Sequence, residues 1–555
     1  MKRKKLNKIL SVLLTGTMIM GIVACGQSAS SSNFTESESK SSNEISTTPA
    51  ASTESNQEEE GLTYPLEDAT QLSIWTVYPL MSVAYTDWTQ SPWHTGLEKN
   101  TGVNVQWTYP VQGATWKEAY NLLLTEEELP NMIGYNVNVT DGMTLIDDGV
   151  IYDLSEYIPK YAPDYWAYLN APGNETLLRD CMSDDGRIHA VYTYYESAKP
   201  VTYLGPVIRQ DWMEECGLDM PVTLEDWEKV LVAFKDKYGA KLGFASNRYN
   251  VGIASGTGAM TGLSNSYYID DNGQVQCAVV QPEWKESLEV LNRWVEMGLV
   301  DLDSFTMKDA DVREKVLNNK IGVSITAASQ ITNWNKDAME QATGAKWVGM
   351  EYPREAEGVP TSVIQSGSRD NGYRAMITTS SSEEELITAL KWLNYGYTEE
   401  GIMYFNYGTE GVSYTVDANG VVQYTDIVTK DPDGLSEGLA KYTGVASPSM
   451  ATVLLDHIME IKNDEATLQA RAMWTSNTTC NEHLVPAISY TEEENLIIND
   501  KGNAINQRIS EMALRFVLGE ESLSNFDAFV TELYDMGLQE MLDIRQAAYE
   551  RYLSR

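Results

Sequence analysis

Cysteine, histidine and phenylalanine are scarce in this sequence, with 5, 4 and 8 residues among 555. Beyond Cys25 the cysteines are Cys181, Cys216, Cys277 and Cys480, far apart and without a C-x-x-C pair. That excludes a dense disulfide scaffold and leaves open one or two bridges or buried thiols. Cys480 and His483 stand three apart with no second pair nearby, and His94, His189 and His457 are scattered, so no metal site is expected. Cations are also few, 40 Lys and Arg against 80 Asp and Glu, for a net charge of −40. Such a balance opposes nucleic acid and anionic headgroups, which both need cationic surface. After residue 24 no apolar run approaches the roughly 20 residues of a membrane-spanning helix. No period of 20–50 residues recurs, which excludes a solenoid. There is no G-x-S-x-G elbow, and "GIASGTGAMTG" (252–262) spaces its glycines as G-x-G-x-x-x-G without a strand before it, unlike a dinucleotide loop. "DDNG" lacks the later glutamate of a calcium loop. Acidic neighbours such as Asp184-Asp185 carry no weight for glycosidase chemistry in a chain with eighty carboxylates. The expectation is therefore no catalytic residue, no metal and no cofactor.

What is present starts at the N-terminus. Lys2, Arg3, Lys4, Lys5 and Lys8 precede an apolar run from Ile9 to Ala24, the layout of a secretory signal over residues 1–24. Ile22-Val23-Ala24-Cys25 resembles the bacterial lipobox, which implies a diacylglycerol on Cys25; the alternative is an ordinary cleaved signal followed by a chance cysteine. From Gly26 to Glu60 there are eleven serines, four threonines and seven glutamates, with Phe34 and Ile45 the only large apolar side chains. Such a stretch cannot bury enough surface to offset its ordering entropy. Residues 25–66 read as a tether spanning roughly 30–35 Å by random-coil scaling.

The remaining body alternates helices with short apolar strands, which predicts an α/β fold with largely parallel sheets. "QLSIWTVYPL" (71–80) reads as a first strand; Asn100-Thr101-Gly102 turns a helix into a strand of Val103, Val105 and Trp107; "LPNMIGYNV" opens another after Pro130. In "DMPVTLEDWEKVLVAFKDKYG", Thr223 and Asp226 form a capping box, and Trp227, Val230, Leu231 and Phe234 share one face. Ile505, Ile509, Met512 and Phe516 form a stripe that Gly519 ends. "DDNGQV" (270–275), "DANGVV" (417–422) and "NDKGNA" (499–504) read as tight hairpin turns.

Six stretches in order resemble one family, the extracellular solute-binding lipoproteins of bacterial ABC importers, in the branch of lipoprotein-type sugar binders. They are "LEKNTGVNVQW", "LPNMIGYNV…LIDDGVIYDLSEYIPKYAPDY", "GRIHAVYTYY", "LGPVIRQDWMEECGLDMPVTLEDWEKVLVAFK", "WLNYGYTEEGIMYFNYGTEGVSYTVDANG" and "GEESLSNFDAFVTELYDMGLQEMLDIRQAAYERY". The resemblance covers roughly residues 70–555. It implies a type II, periplasmic-binding-protein-like fold of two α/β lobes joined by a hinge with a ligand cleft between them. Crossings are then expected near 200–209, 365–373 and 425–433, giving lobe one as 67–200 with 368–425 and lobe two as 201–367 with 426–555. Arg209-Gln210-Asp211-Trp212 resembles the family's R-x-D-W and reads as a core tryptophan beside a structural ion pair.

The aromatics are skewed to 32 Tyr and 14 Trp. A flat apolar face with a polar edge suits a sugar ring, whereas a peptide or lipid pocket would use more Phe, Leu and Met. Candidate ligand contacts lie at the ends of inferred strands: Trp75 and Tyr78, Trp93 in the loop beyond, Tyr135 and Asn136, Tyr194 and Tyr195, and Asn247. Trp334 follows "SITAAS", and Trp474 lies in "RAMWTSN". The alternative for each aromatic is a partly buried packing residue. Arg369 is a candidate clamp for hydroxyls or a uronate, or one half of a surface salt bridge. The expected protein is a monomeric, lipid-anchored receptor on the outer face of the cell membrane that passes an oligosaccharide to ABC permease transmembrane subunits. The alternatives are a surface-anchored glycan-degrading enzyme and the same receptor for a peptide or other small solute.

Overall fold

The computed structural model describes residues 62–77, 88–110, 115–197, 204–246, 267–354, 356–358, 369–446, 451–456, 461, 464–475 and 483–555. Cys25, Tyr78, Asn247, Cys480 and the 252–262 glycines lie outside them.

Four strands open the fold: β1 (Leu72–Thr76), β2 (Val105–Thr108), β3 (Met132–Tyr135) and β4 (Val191–Tyr195). The chain then crosses to a second sheet containing β5 (Leu204–Arg209) and β6 (Lys241–Phe244). A small hairpin of β7 (Tyr267–Ile269) and β8 (Val275–Cys277) follows, then β9 (Ile321–Ala327) and β10 (Trp347–Gly349). The return is β11 (Asp370–Ile377), followed by the hairpin of β12 (Tyr414–Val416) and β13 (Val422–Tyr424) and by β14 (Val453–Leu454). The first sheet has the order β14-β4-β11-β3-β1-β2 and the second β10-β5-β9-β6.

The sheets are mixed rather than largely parallel. β11 is antiparallel to both β3 and β4, and β5 is antiparallel to both β9 and β10. The cause is the crossing itself, because a strand entering from the other lobe runs against its neighbours. Each sheet is covered by its own core. The first contains Ile74, Met132, Ile133, Val191 and Met376, and the second Ile208, Leu242, Val323, Trp284 and Phe516.

Local expectations hold where capping chemistry is strong. Thr223 and Asp226 form both capping-box bonds at the helix Leu224–Tyr238, whose buried residues are Trp227, Val230, Leu231 and Phe234. Gly239 ends it at φ 67°, a left-handed conformation that costs a glycine nothing. The two Asx hairpins form as expected around Gly273 and Gly420, with Asp270 and Asp417 each accepting two backbone N–H bonds. "NDKGNA" does not turn. It lies inside the 27-residue helix Glu492–Leu518, where Gly502 faces Met541 at the packing distance that a glycine permits. The helical stripe at Ile505 and Ile509 outweighs the local turn preference.

The third crossing also differs from expectation. Residues 426–446 and 451–454 stay with the first sheet: β14 pairs with β4, and the helix Leu435–Tyr442 packs against the helix Pro92–Thr101. Gly444 lies flat on Trp93 and Phe405, a close approach that seals this segment to lobe one. The chain passes over only after Leu454, reaching the helix Glu465–Thr475, which packs on β10 and β5. Arg209 and Asp211 form the expected ion pair at 2.6 Å, with the guanidinium 4.0 Å above the Trp212 ring. Cys181, Cys216 and Cys277 are free thiols.

Candidate ligand cleft

β4 ends at Tyr195 where the chain leaves for lobe two, so the carboxyl ends of β1 and β3 and the start of β11 lie along that same edge. In lobe two β5 begins opposite Ala327, the end of β9, and β6 runs parallel to β9. Strand ends that face each other across a crossing are where open α/β sheets take ligands.

On lobe one this edge carries an aromatic group and a guanidinium group. Tyr135 is half-buried at the end of β3 and lies parallel to Tyr120, with centroids 4.3 Å apart; Trp75 meets it edge-on at 6.2 Å. Burial raises the Tyr135 and Tyr120 pKa values, so both stay neutral hydrogen-bonding phenols. The neighbouring Asn136 is exposed, and its Oδ1 accepts from Arg374 Nη1 at 2.8 Å. Arg374 is buried, pairs with Asp370 at 2.5 Å and sits 4.5 Å over the Tyr192 ring. Burial, the largest single influence, lowers its pKa, but the Asp370 carboxylate together with the Tyr192 and Tyr194 phenols outweighs it and leaves the pKa raised. Below it His189 is pushed down to about 3, first by burial and then by this cation, so it is neutral.

Among the described residues Arg369 is engaged in hydrogen bonds at the crossing rather than in a salt bridge. It donates to the Tyr195 carbonyl at 3.1 Å and to Tyr168 Oη at 2.5 Å, and it also bonds Asn174. Across the crossing, Arg471 of lobe two is buried, and that burial lowers its pKa to about 9; the Tyr195 hydroxyl, also close by, acts in the opposite direction. Tyr195 itself is half-buried.

Four candidates are interior residues. Trp93 is not in a loop; it sits in the helix Pro92–Thr101, 1% exposed, against His94, Trp107 and Phe405. Tyr194 is fully buried and stacked with Tyr192 at 5.9 Å. Trp334 is 2% exposed and meets Trp347 edge-on at 4.8 Å. Trp474 is 1% exposed, lies flat on Gly205 and donates Nε1–H to the carbonyls of Met350 and Pro206 at 2.9 and 3.2 Å. None of these rings has a face left for a sugar. Spacing could have revealed them: Trp93 and Leu97, Ile331 and Trp334, and Ala470 and Trp474 repeat at helical intervals and share cores. Trp75 is also buried, at 5% exposure, and backs Tyr135 rather than facing outward. Tyr135, Asn136, Arg369 and Tyr195 are brought to the same edge. Sequence reasoning missed Arg374, Asp370 and Arg471, since an arginine in a strand or helix carries no periodic mark of its partner.

Among the described residues no group of three or more His, Cys, Asp or Glu could hold a metal ion, and no helix is long and apolar enough to cross a membrane.

Residues 83–403 match the family described as bacterial extracellular solute-binding protein. Lipoprotein LipO of Bacillus subtilis is 24% identical over 482 residues, covering 83% of this chain and 89% of that protein. The fructooligosaccharide ABC transporter substrate-binding protein FusA of Streptococcus pneumoniae is 24% identical over 525 residues, covering 89% and 92%. An HMO-binding, ABC-transporter-associated solute-binding protein from Bifidobacterium longum infantis superposes with a TM-score of 0.67 at 18% identity, covering 87% of this chain and 99% of that one.

Proposed function

Because this chain belongs to the bacterial extracellular solute-binding protein family, we propose that it is the substrate-binding component of an ABC importer. It captures an oligosaccharide outside the cell and delivers it to the permease. The observation that carries this reading is the cleft edge of lobe one, where the half-buried Tyr135 ring, backed by Tyr120 and Trp75, stands beside the Asn136 amide held by Arg374. A phenol face offers stacking to a sugar's C–H face, and a fixed amide offers one donor and one acceptor to its hydroxyls. The sugar-directed names of FusA and the Bifidobacterium protein support the same ligand class.

In this reading lobe one comprises 67–197 with 369–454, and lobe two 204–354 with 464–555. Ligand contacts from both lobes select the closed arrangement by a hinge motion about the crossings. Tyr135 and Asn136 contribute from lobe one, with Arg369 stiffening the crossing; Tyr78 and Asn247 lie on segments that follow β1 and β6 and are further candidates. No bond is made or broken, so the protein is not an enzyme. Cys25 carries the lipid, the tether spans from membrane to body, and the receptor acts as a monomer at the outer face of the membrane.

The test is thermal unfolding of the mature chain with kestose, chitotriose, xylotriose, cellotriose, trigalacturonic acid and a set of tripeptides, with product analysis of each mixture. A raised Tm with one saccharide and no product supports the reading. Cleavage of any glycan supports the surface-anchored enzyme instead, and stabilisation by tripeptides alone moves the ligand to peptide.

A further inference from the structure

Away from the crossings the described residues of the two lobes meet in a dense polar contact. Lobe one supplies Asp180, near the end of the helix Glu175–Cys181, and Asp184 in the turn that follows. Lobe two supplies Arg551 and Tyr552 of the helix Leu538–Leu553, and Arg555 just beyond it. Arg551 Nε donates to Asp184 Oδ2 at 2.6 Å, while Arg555 Nη2 and Nε donate to Oδ1 at 2.6 and 3.0 Å. Arg555 Nη1 also donates to the carbonyls of Arg179 in lobe one and Ala487 in lobe two, at 3.1 and 3.2 Å. Tyr552 Oη donates to Asp180 Oδ1 at 2.6 Å, and the Arg179 and Arg555 guanidinium groups lie 5.5 and 5.1 Å from its ring. The Tyr490 N–H donates to Thr140 Oγ1 at 3.1 Å, another tie between the lobes.

Three features separate this contact from an incidental surface pair. First, it is partly shielded from water, with the Arg555 side chain 1% exposed, that of Asp184 21% and that of Arg551 31%; fully exposed pairs are worth little because solvent screens them, and Arg555 on Asp184 is the less screened of the two pairs. Second, the cations are held ready within their own lobe. Arg551 is gripped by Glu494 at 2.6 and 3.0 Å, and Arg555 by Ser489 Oγ at 2.6 Å. Little side-chain entropy then remains to be lost when Asp184 arrives. Third, it adjoins the binding edge: Asp180 interacts electrostatically with Asp370, which starts β11 and holds Arg374 against Asn136.

We propose that Arg551 and Arg555, seated together on Asp184, form a clasp that holds the lobes at their present approach before ligand binds, and so act as positioning residues for capture. The part of the proposal that concerns affinity rests on the receptor reading above. A contact built into the protein raises the fraction of unliganded molecules already in the binding-competent arrangement. Apparent affinity falls in proportion when that fraction falls.

The experiment measures lobe separation by single-pair energy transfer, with dyes carried on unnatural amino acids at Leu122 and Met339, which are 68% and 75% exposed on lobes one and two. The unliganded mature chain is compared with Arg551→Gln/Arg555→Gln, with the milder Asp184→Asn, and with all three changes combined. The expected result is a longer, broader distance distribution in each variant, with the triple variant no wider than the arginine pair alone. Molar salt should shift the unmodified chain the same way and the variants much less. Panel oligosaccharides should bind the variants about tenfold more weakly. Unchanged distances, additive effects or tighter saccharide binding would overturn the clasp; near-UV circular dichroism identifies any variant that has lost its fold, for which Asp184→Asn stands in. Widened distances in a chain that binds no saccharide would retain the clasp and remove the ligand reading, so the two fail separately.

Discussion

The Tyr135 ring lies parallel to the Tyr120 ring, 4.3 Å between centroids and 19° between planes. Tyr120 is buried in the helix Trp116–Leu123, so the only adjustable partner in the pair is the one at the cleft edge. A stacked ring held from behind presents its other face in a fixed orientation, which lowers the entropy lost on stacking a sugar.

Replacing Tyr135 by alanine should therefore weaken oligosaccharide binding at least tenfold by titration calorimetry, while Tyr135→Phe should retain most of the affinity. Equal affinity in the alanine variant would remove Tyr135 from the site.

Trp334→Ala and Trp474→Ala should act on stability instead. Deleting a buried tryptophan costs about 3–5 kcal/mol, and at position 474 it also takes the indole N–H from the Met350 carbonyl and from the Pro206 carbonyl, the latter keeping the Met350 N–H. Urea unfolding should move by that amount, with saccharide affinity of the folded fraction within about twofold of the unmodified chain. A tenfold affinity loss at unchanged stability would return either residue to the cleft.

Asp180 predicts a pH effect. Burial raises its carboxyl from 3.8 to about 6, and Asp370 adds to the rise; the Tyr552 hydroxyl, Arg555 and Arg179 oppose it. The folded chain thus binds this proton more tightly than the unfolded one. Its contribution to stability is complete below about 3.8 and is lost as pH rises through about 6. In Asp180→Asn the urea midpoint should fall less between pH 4 and 6.5 than in the unmodified chain. Parallel profiles would show that Asp180 titrates normally.

Cys25→Ala should release the protein from the membrane fraction to the medium, and mass spectrometry of the unmodified protein should find a lipid-modified Cys25 at the mature N-terminus. Membrane retention of the alanine variant would mean that something other than this cysteine holds it.

Secondary structure was legible where it depends on near neighbours. The Thr223–Asp226 box, the Gly239 and Gly519 stops and the Asx hairpins need only a few residues in sequence. The fate of a tryptophan was legible only in part, because the helical spacing of Trp93, Trp334 and Trp474 marks a core face but not what the indole N–H meets there. An indole needs a large apolar contact and one acceptor, and a cleft and a core both provide these; Trp474 found its two carbonyls on segments more than a hundred residues away. The third crossing was misplaced for a related reason. What holds 426–446 and 451–454 to lobe one is a two-residue strand and the close fit of Gly444 on Trp93, neither of which leaves a periodic trace. The Asp370–Arg374–Asn136 group joins strands distant in sequence and is visible only once β11 lies between β3 and β4.

That placement of β11 bears on how the chain is made. β3 and β4 have no contact in the sheet except through a strand that begins at Asp370. A polypeptide emerging N-terminus first cannot unite the two halves of its first sheet until Ile377 has appeared, and cannot finish the edge until Leu454. Throughout that interval the edges of β3 and β4 that β11 will pair stay open, and unpaired strand edges are prone to join other chains. Export and folding of this protein are thus joined in time: the first segment of lobe two, from β5 to β10, must be delivered before lobe one can be completed.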